Sequence, residues 1–332
     1  MTSLPAYVKK PVIDSISGIL KKKWLTFILR LTLTVTLLML VVRQLNWGDL
    51  LQIVKSAHTG WIIFAIVAVL SSHIVYTIAT HKMLKCVGVS LGFCPLLTSH
   101  FRGLFIAQFL PTAVAADVFR VHGHHSKAEP NRWKYIAWIL TTQRLAGLSI
   151  ASFFLLITGP FVAPNQVHTI GLPLAILVLV AGVAGCGIFY SRRYFQIRAL
   201  LQRFGVSLMS IFRNKQAIMC LFACSLIQIV FYVSAVWCLA RGLQFNLEFF
   251  QCFFLVPSAM LVVVIPISLN GLGVREAIYV LVMSGFGFAA TDAVALSLGV
   301  YSLGILFAFI GGLTWLISTE GDTAVNVEST PT

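Results

Sequence analysis

The sequence predicts an all-α protein that crosses a membrane several times. Of its 332 residues, 58% are hydrophobic, and the mean hydropathy is +0.92. Only 10% of the residues are charged, well below the roughly 25% that is usual for soluble domains. The apolar residues fall into runs that match the roughly 20 residues a membrane-spanning helix needs. These observations set aside a soluble multidomain protein.

Six apolar runs are long enough to span the membrane on their own. About twenty polar or mixed residues precede the first run and no small-residue cleavage site follows it, so we expect a retained span rather than a cleaved signal peptide. One transmembrane domain is expected over 24–318, between a basic N-terminal segment (1–23) and a short acidic tail (319–332). The six predicted spans are Trp24–Val42, Trp61–Ala79, Ile136–Thr158, Ile170–Tyr190, Ala217–Leu239 and Ala293–Ser318.

Basic residues outnumber acidic residues by 24 to 10, which gives a formal net charge of +14. They stand beside the apolar runs, a distribution typical of membrane orientation and of contact between cytoplasmic loops and anionic lipid head groups. We therefore do not expect nucleic acid as a partner. The N-terminus of this multi-pass protein is expected in the cytoplasm, because five lysines precede the first span: Lys9, Lys10, Lys21, Lys22 and Lys23.

Two further apolar regions, Pro95–Arg120 and Phe249–Ala289, are interrupted by proline, glycine and charged residues. If the first region crossed the membrane, the most basic loops would lie outside. If it enters and leaves on the same side, every basic loop is cytoplasmic. We therefore predict a re-entrant helical hairpin. Its non-helical backbone must then lie within the protein or line a water-filled cavity.

The two interrupted regions recur in the same order relative to the spans. Pro111 and Pro266 mark their breaks and stand 155 residues apart. The same shift places the second and third predicted spans onto the last two. We therefore predict two repeats, at about 24–158 and 170–318, each with three spanning helices and one re-entrant hairpin. Three crossings is an odd number, so the second repeat is inverted, as is typical of transporters.

Charged residues at the two breaks are the candidate functional residues. A charge at mid-membrane costs about 2.5–3.5 kcal/mol on insertion scales, so it persists where it faces a cavity, pairs with another group or binds something. Arg275 at the start of a new helix offers an anion site, because the helix N-terminus adds free N–H groups. Asp117, as a cap, and Arg120 offer similar groups in the first region. The predicted breaks and caps are Pro111, Pro266, Asn270, Gly271 and Gly273.

Two interpretations of these charges remain open. In one, they are structural ion pairs that join the hairpins: Arg275 with Asp117, and Glu276 with Arg120 or Arg144. In the other, the arginines Arg120, Arg144 and Arg275 bind a substrate, while Asp117 and Glu276 orient them or carry a proton. Both interpretations are compatible if the substrate competes with the carboxylates for the arginines.

Two arginines outside the breaks are also candidates. Arg144 lies about two turns into a predicted span, which slightly favours a cavity-facing role over snorkelling to the interface. Arg102, with His100 and Gln108 nearby, lies on the first limb of the first hairpin. It is the weaker candidate.

No cofactor or metal site is expected. His122, His124 and His125 fall in a basic loop without a carboxylate or cysteine at ligand spacing, so a solvated loop is the favoured interpretation. The 7 cysteines lie mostly in or beside apolar runs and are interpreted as small buried hydrophobes. The sequence has no nucleotide-binding motif.

These motifs resemble the flippase-like family of polytopic membrane proteins, also called the lysylphosphatidylglycerol synthase transmembrane region. The resemblance covers most of the chain and is carried by LPTAVAADVFR (110–120), QRLAGL (143–148) and PISLNGLGVREA (266–277). Family members usually have two glycines where this chain has Ala115 and Ala116. The chain lacks the soluble aminoacyl-transferase domain of some relatives, so we do not expect it to synthesise lysyl-lipid.

The resemblance implies a protein of the cell inner membrane that moves a lipid or lipid-linked molecule between leaflets. A phospholipid, a polyprenyl-phosphate-linked molecule or a hopanoid is the expected partner, and no ATP site is present. One alternative is a membrane-embedded lipid-phosphate transferase with Asp117 or Glu276 as base. Another is a non-catalytic partner subunit of a lipid-modifying enzyme. An enzyme is not the preferred interpretation, and the oligomeric state remains open.

Overall fold

The structure is a computed structural model that describes residues 55–109, 132–162, 215–264 and 271–317, together with the seven residues Thr32, Met39, Gly48, Gln52, Ile53, Asp117 and Arg120. The predicted spans Trp24–Val42 and Ile170–Tyr190 fall almost entirely outside the described residues. Pro111, Pro266, Asn270 and the three loop histidines also lie outside them.

Within the described residues the chain is all α-helix, and no strand occurs there. Four of the helices are long and apolar enough to cross a membrane: α1, α3, α4 and α7. In chain order the helices are α1 (Thr59–Cys86), α2 (Phe93–Phe109), α3 (Arg132–Val162), α4 (Lys215–Gly242), α5 (Phe249–Val263), α6 (Val274–Gly285) and α7 (Ala290–Ile317).

The helices α1, α3 and α4 contain the predicted spans on which they fall and extend beyond both ends of each, while α7 begins three residues before its predicted span and covers that span as far as Ile317. α1, for example, has 28 residues and ends at Cys86, seven residues after the predicted end of its span. Hydropathy locates the part of a helix that crosses lipid. Backbone hydrogen bonding in the helix continues past that part.

The two interrupted regions form the short helices. α2, α5 and α6 have 17, 15 and 12 residues, which at 1.5 Å per residue makes them about 25, 22 and 18 Å long. Each is shorter than the roughly 30 Å hydrocarbon core of a bilayer. None of the three is therefore long enough to cross the bilayer alone unless the membrane thins locally.

Two glycines allow the turn that leads into α6. Gly271 and Gly273 have φ values of +77° and +79°, a region that residues with a Cβ adopt only under strain. A Cβ at Gly271 would also lie 2.7 Å from a methyl carbon of Val263 on α5. The chain turns at these two glycines, and the residue at the N-cap of α6 is Gly273 rather than Asn270.

The long helices pack around α1 and α4, which share the largest contact in the structure. α2 packs along α7, and α5 packs along α3. Small residues allow the close approach of α2 and α7, as is common between helices in membranes. Gly311 of α7 lies directly against the backbone of Phe101, and Gly312 lies against the ring of Phe105.

We predict that Gly311→Ala destabilises the protein, because the added methyl group would overlap the carbonyl group of Phe101. Backbone atoms of a packed helix move little, so the expected cost is about 1–3 kcal/mol. The measurement is the thermal stability of the detergent-purified variant. Gly304→Ala on the same helix is the matched control, since its Cβ would meet no atom within 4 Å. Equal melting temperatures for the two variants would contradict the close contact of α2 and α7.

Candidate functional site

Asp117 holds two arginines from different parts of the chain. Its Oδ1 atom accepts a hydrogen bond from Nη1 of Arg120 at 3.0 Å, and its Oδ2 atom lies 2.7 Å from Nη2 of Arg144 on α3. Asp117 and Arg120 are both helical and stand one turn apart, so Asp117 is not a helix cap as predicted. Among the described residues, one carboxylate therefore lies against two guanidinium groups.

Arg120 is the buried arginine of the cluster. Its side chain is 10% exposed, its guanidinium lies 5.9 Å above the centre of the Tyr76 ring, and Nη2 donates to the carbonyl oxygen of His100. Its Nε atom has no partner among the described residues. Gly103 of α2 leaves the room for this side chain, because a Cβ there would overlap Arg120.

Arg144 is the accessible arginine of the cluster. Its side chain is 34% exposed, whereas that of Asp117 is 18% exposed. Arg144 stands nine residues after Tyr135, the start of the apolar part of α3, which places it about 14 Å along the helix. Its ion pair with Asp117 favours the predicted inward role over simple snorkelling.

Arg275 belongs to a second cluster. Its guanidinium lies 5.5 Å above the centre of the Tyr301 ring on α7. The hydroxyl group of Tyr301 in turn donates to Oε1 of Gln108 at 3.2 Å. Gln108 stands near the end of α2, so this chain of contacts joins α6, α7 and α2.

Glu276 is completely buried and closes the start of α6. Its Oε2 atom accepts a hydrogen bond from the Gly273 N–H at 2.6 Å, and its Oε1 atom accepts one from the Ser297 hydroxyl group at 3.1 Å. A carboxylate at a helix N-terminus also interacts favourably with the helix dipole. Glu276 therefore satisfies a backbone donor at the glycine turn.

The predicted ion pairs between the hairpins are wrong. Asp117 pairs with Arg120 and Arg144 instead of Arg275, and the hydrogen bonds of Glu276 go to Gly273 and Ser297. The physical reason is position: Asp117 lies one turn from Arg120 and against α3, while Glu276 points back at its own helix start.

The two arginine clusters lie at different levels of α2. Arg120 contacts His100, whereas Arg275 reaches Gln108 through Tyr301. Eight residues of α-helix separate these contacts, which is about 12 Å along the axis. A single phosphate group is too small to touch both. The structure therefore brings together two of the three predicted arginines and places the third apart.

Two cavities lie beside these clusters. A small one of about 20 Å³ is lined by Tyr76, Thr80, Ser99, His100 and Arg120, among others. A larger one of about 140 Å³ lies between α1, α2, α4 and α7, and its lining includes His73, Gln108 and Tyr232. The small cavity has room for one water molecule and the larger one for several.

Sequence reasoning missed Gln143, a polar residue that supports the site. Gln143 is buried, donates to the Tyr76 carbonyl oxygen and accepts from Thr80, so it ties α3 to α1. The signal was its place beside Arg144 in QRLAGL, a polar pair within an apolar run. Arg102, the weaker candidate, donates to the carbonyl oxygen of Thr314 and joins α2 to α7.

Among the described residues, no group of three or more histidines, cysteines, aspartates and glutamates is placed to hold a metal ion. Cys220 and Cys224 stand 3.9 Å apart on α4, without a third ligand of those types in the same part of the chain.

Comparison with known families supports the resemblance seen in the motifs. The family model described as the lysylphosphatidylglycerol synthase TM region matches residues 27–312. That range contains both arginine clusters and all described helices except the last residues of α7. A comparison with curated proteins found no significant match. The chain is therefore a membrane protein that belongs to the family of the lysylphosphatidylglycerol synthase transmembrane region, a family of lipid-handling proteins.

Proposed function

We propose that this protein moves a lipid or lipid-linked molecule with an anionic head group between the leaflets of the inner membrane. The observation that carries the proposal is the cluster in which Asp117 is shared by Arg120 and Arg144. Both guanidinium groups lie among apolar helices, where a charge persists if it pairs with another group or binds something. An anionic head group matches the N–H donors of the two arginines.

The chemistry of arginine fits a phosphate group. The guanidinium presents a planar fork of N–H donors that matches phosphate oxygens in pairs, whereas lysine offers a point charge. Arg144 is accessible enough to meet a head group first, and Arg120 keeps an Nε donor unpartnered among the described residues. Asp117 orients both side chains. A phospholipid and a polyprenyl phosphate both carry the required group.

Two clusters at different levels suit transport better than static binding. A head group released from Arg144 and Arg120 would meet Arg275 about 12 Å farther along α2. The cavity lined by Gln108 lies beside that second position. The acyl chains of the substrate would remain in lipid while the head group passes along this polar path.

The packing of the helices supports inverted repeats. If the two repeats are related by symmetry, α1 corresponds to α4, α2 to α5 and α3 to α7. Under this correspondence the contact between α2 and α7 becomes the contact between α5 and α3, and both contacts are present. The contact of α1 with α4 maps onto itself, and those of α1 with α2 and α1 with α3 map onto α4 with α5 and α4 with α7. Such an exchange is what a two-fold axis between the repeats produces. The short helices α2, α5 and α6 are the expected limbs of the re-entrant hairpins.

The side-chain contacts of Asp117 and Glu276 favour transport over a lipid-phosphate transferase. A general base must reach the proton it removes. Asp117 is bound to two guanidinium groups, and both oxygens of Glu276 accept hydrogen bonds from the protein. These ion pairs and hydrogen bonds favour a positioning role for both acids over the role of a base.

The hairpin arrangement predicts which loops share a side of the membrane. Cysteines introduced at Lys127 and Lys215, in a variant without native cysteines, should react with an impermeant maleimide only from the cytoplasm. Asn246→Cys is the control for the opposite side, because it follows the far end of α4. Labelling of Lys127→Cys from outside in intact cells would refute the first hairpin.

We expect Arg144→Lys and Arg275→Lys to fold but to transport anionic lipid about tenfold more slowly. The charge survives, while the paired hydrogen bonds, together worth about 1–2 kcal/mol, do not. The measurement is leaflet exchange of labelled anionic and neutral lipids in proteoliposomes.

Arg241→Lys is the matched control for both arginine variants, since Arg241 lies over Trp237 at the end of α4, away from both clusters. Equal rates for wild type and all three variants, without preference for anionic lipid, would leave the arginines structural and point to an uncharged substrate such as a hopanoid.

A further inference from the structure

Two histidines meet in the middle of the helix bundle and have no role in the proposed lipid contacts. His73 stands at the midpoint of α1, about 20 Å from either end. His100 stands on α2. The Nδ1 atom of His73 and the Nε2 atom of His100 are 3.0 Å apart, so one imidazole donates a hydrogen bond to the other.

The pair separates the two cavities along the bundle. On α1, the small cavity is lined by residues that follow His73, namely Tyr76, Thr77 and Thr80, and the larger cavity by Val69, which precedes it. On the antiparallel α2, the order is reversed: Leu96 and Ser99 line the small cavity, and Leu104 and Gln108 the larger one. The two cavities therefore lie toward opposite ends of the bundle.

Each histidine also lines one cavity. His100 lines the small cavity and His73 the larger one. The Nδ1 atom of His100 is buried and has no hydrogen-bond partner among the described residues. A buried polar atom usually has a partner, and the small cavity has the volume for one water molecule. Tyr76, whose ring lies 4.8 Å from that of His100, and Thr80 also line this cavity, so it offers a water molecule further polar groups.

We propose that His73 and His100 form a proton relay between the two cavities that couples lipid movement to a proton gradient. The inference rests on the proposed lipid transport and supplies its source of energy. Histidine suits this role because each of its two ring nitrogens can take up or release a proton.

The proton balance of the relay is closed. A proton binds Nδ1 of His100 from the small cavity, and the proton on Nε2 of His100 passes to Nδ1 of His73. His73 then releases the proton on its Nε2 atom to water in the larger cavity. Both rings end neutral, and each now carries its proton on Nδ1 instead of Nε2. Ring rotation or proton exchange with water restores the first state. No bond other than N–H and O–H bonds forms or breaks.

The charged groups around the pair supply the coupling. Arg120 lines the same small cavity as His100 and donates to its carbonyl oxygen, and Asp117 and Arg144 lie behind Arg120. Among the described residues, Tyr76 on α1 and Tyr232 on α4 are the other titratable groups that face the two cavities, while α7 presents the ring of Phe307. A lipid phosphate bound at Arg120 offsets its positive charge, which favours proton uptake by His100. Lipid and proton would therefore bind together.

The test uses proteoliposomes that hold a pH-sensitive dye inside and a labelled anionic lipid in one leaflet. Leaflet exchange and internal pH are recorded with and without a gradient of one pH unit. This gradient is a ratio of about ten in proton concentration across the membrane. The variants are His73→Gln and His100→Gln, in which an amide keeps hydrogen bonding but does not relay protons. His81→Gln is the matched control, since His81 stands on α1 against Phe93 and lines neither cavity.

In wild type and His81→Gln, the gradient should speed lipid exchange several-fold and proton flux should accompany it. Both relay variants should lose the acceleration and the flux, yet keep exchange at equal pH. Lipid exchange that the gradient does not change in wild type overturns the relay, even if a variant fails to fold. Failure of wild type to move any lipid overturns the proposed function instead. In that case, equal proton flux in wild type and in the His73→Gln/His100→Gln double variant overturns the relay as well.

Discussion

The ion cluster at Asp117 is the interaction on which the rest of the structure depends. Removing a charged side chain from water costs several kcal/mol per ion, and the cost is offset only where the partners match closely. Asp117 meets this requirement for two arginines at once, one from its own segment and one from α3. Gly103, the His100 carbonyl group and the Tyr76 ring then complete the environment of Arg120. Through these contacts the cluster joins α2 to α1 and α3.

The same constraint explains the short helices. A helix that ends inside a membrane leaves backbone N–H and C=O groups without partners. At the start of α6, the buried Glu276 carboxylate accepts from the Gly273 N–H, and Gly271 and Gly273 provide the turn that brings the two together. α7 supports both interrupted regions, through Gly311 against α2 and Ser297 against Glu276.

The sequence predicted the helices better than their partners. Long apolar runs and paired glycines are local signals, so the spans over α1, α3, α4 and α7 and the turn before α6 were found. The types of residue at the clusters were also found, because charges stand out in apolar sequence. Their pairing depends on which helices meet and at what register, and no local pattern carries that information. Tyr301 and Gln108, for instance, are 193 residues apart.

Charge balance connects the two clusters with the histidine pair. The Asp117 carboxylate lies beside two guanidinium groups, those of Arg120 and Arg144, and charges in a medium of low dielectric constant are costly unless they have partners. In the proposed cycle, a phosphate bound at Arg120 lowers the positive potential at His100, which lines the same cavity. Proton uptake by His100 is then favoured while the anion is bound and disfavoured in the empty protein. This linkage between proton binding and lipid binding is what coupled transport requires.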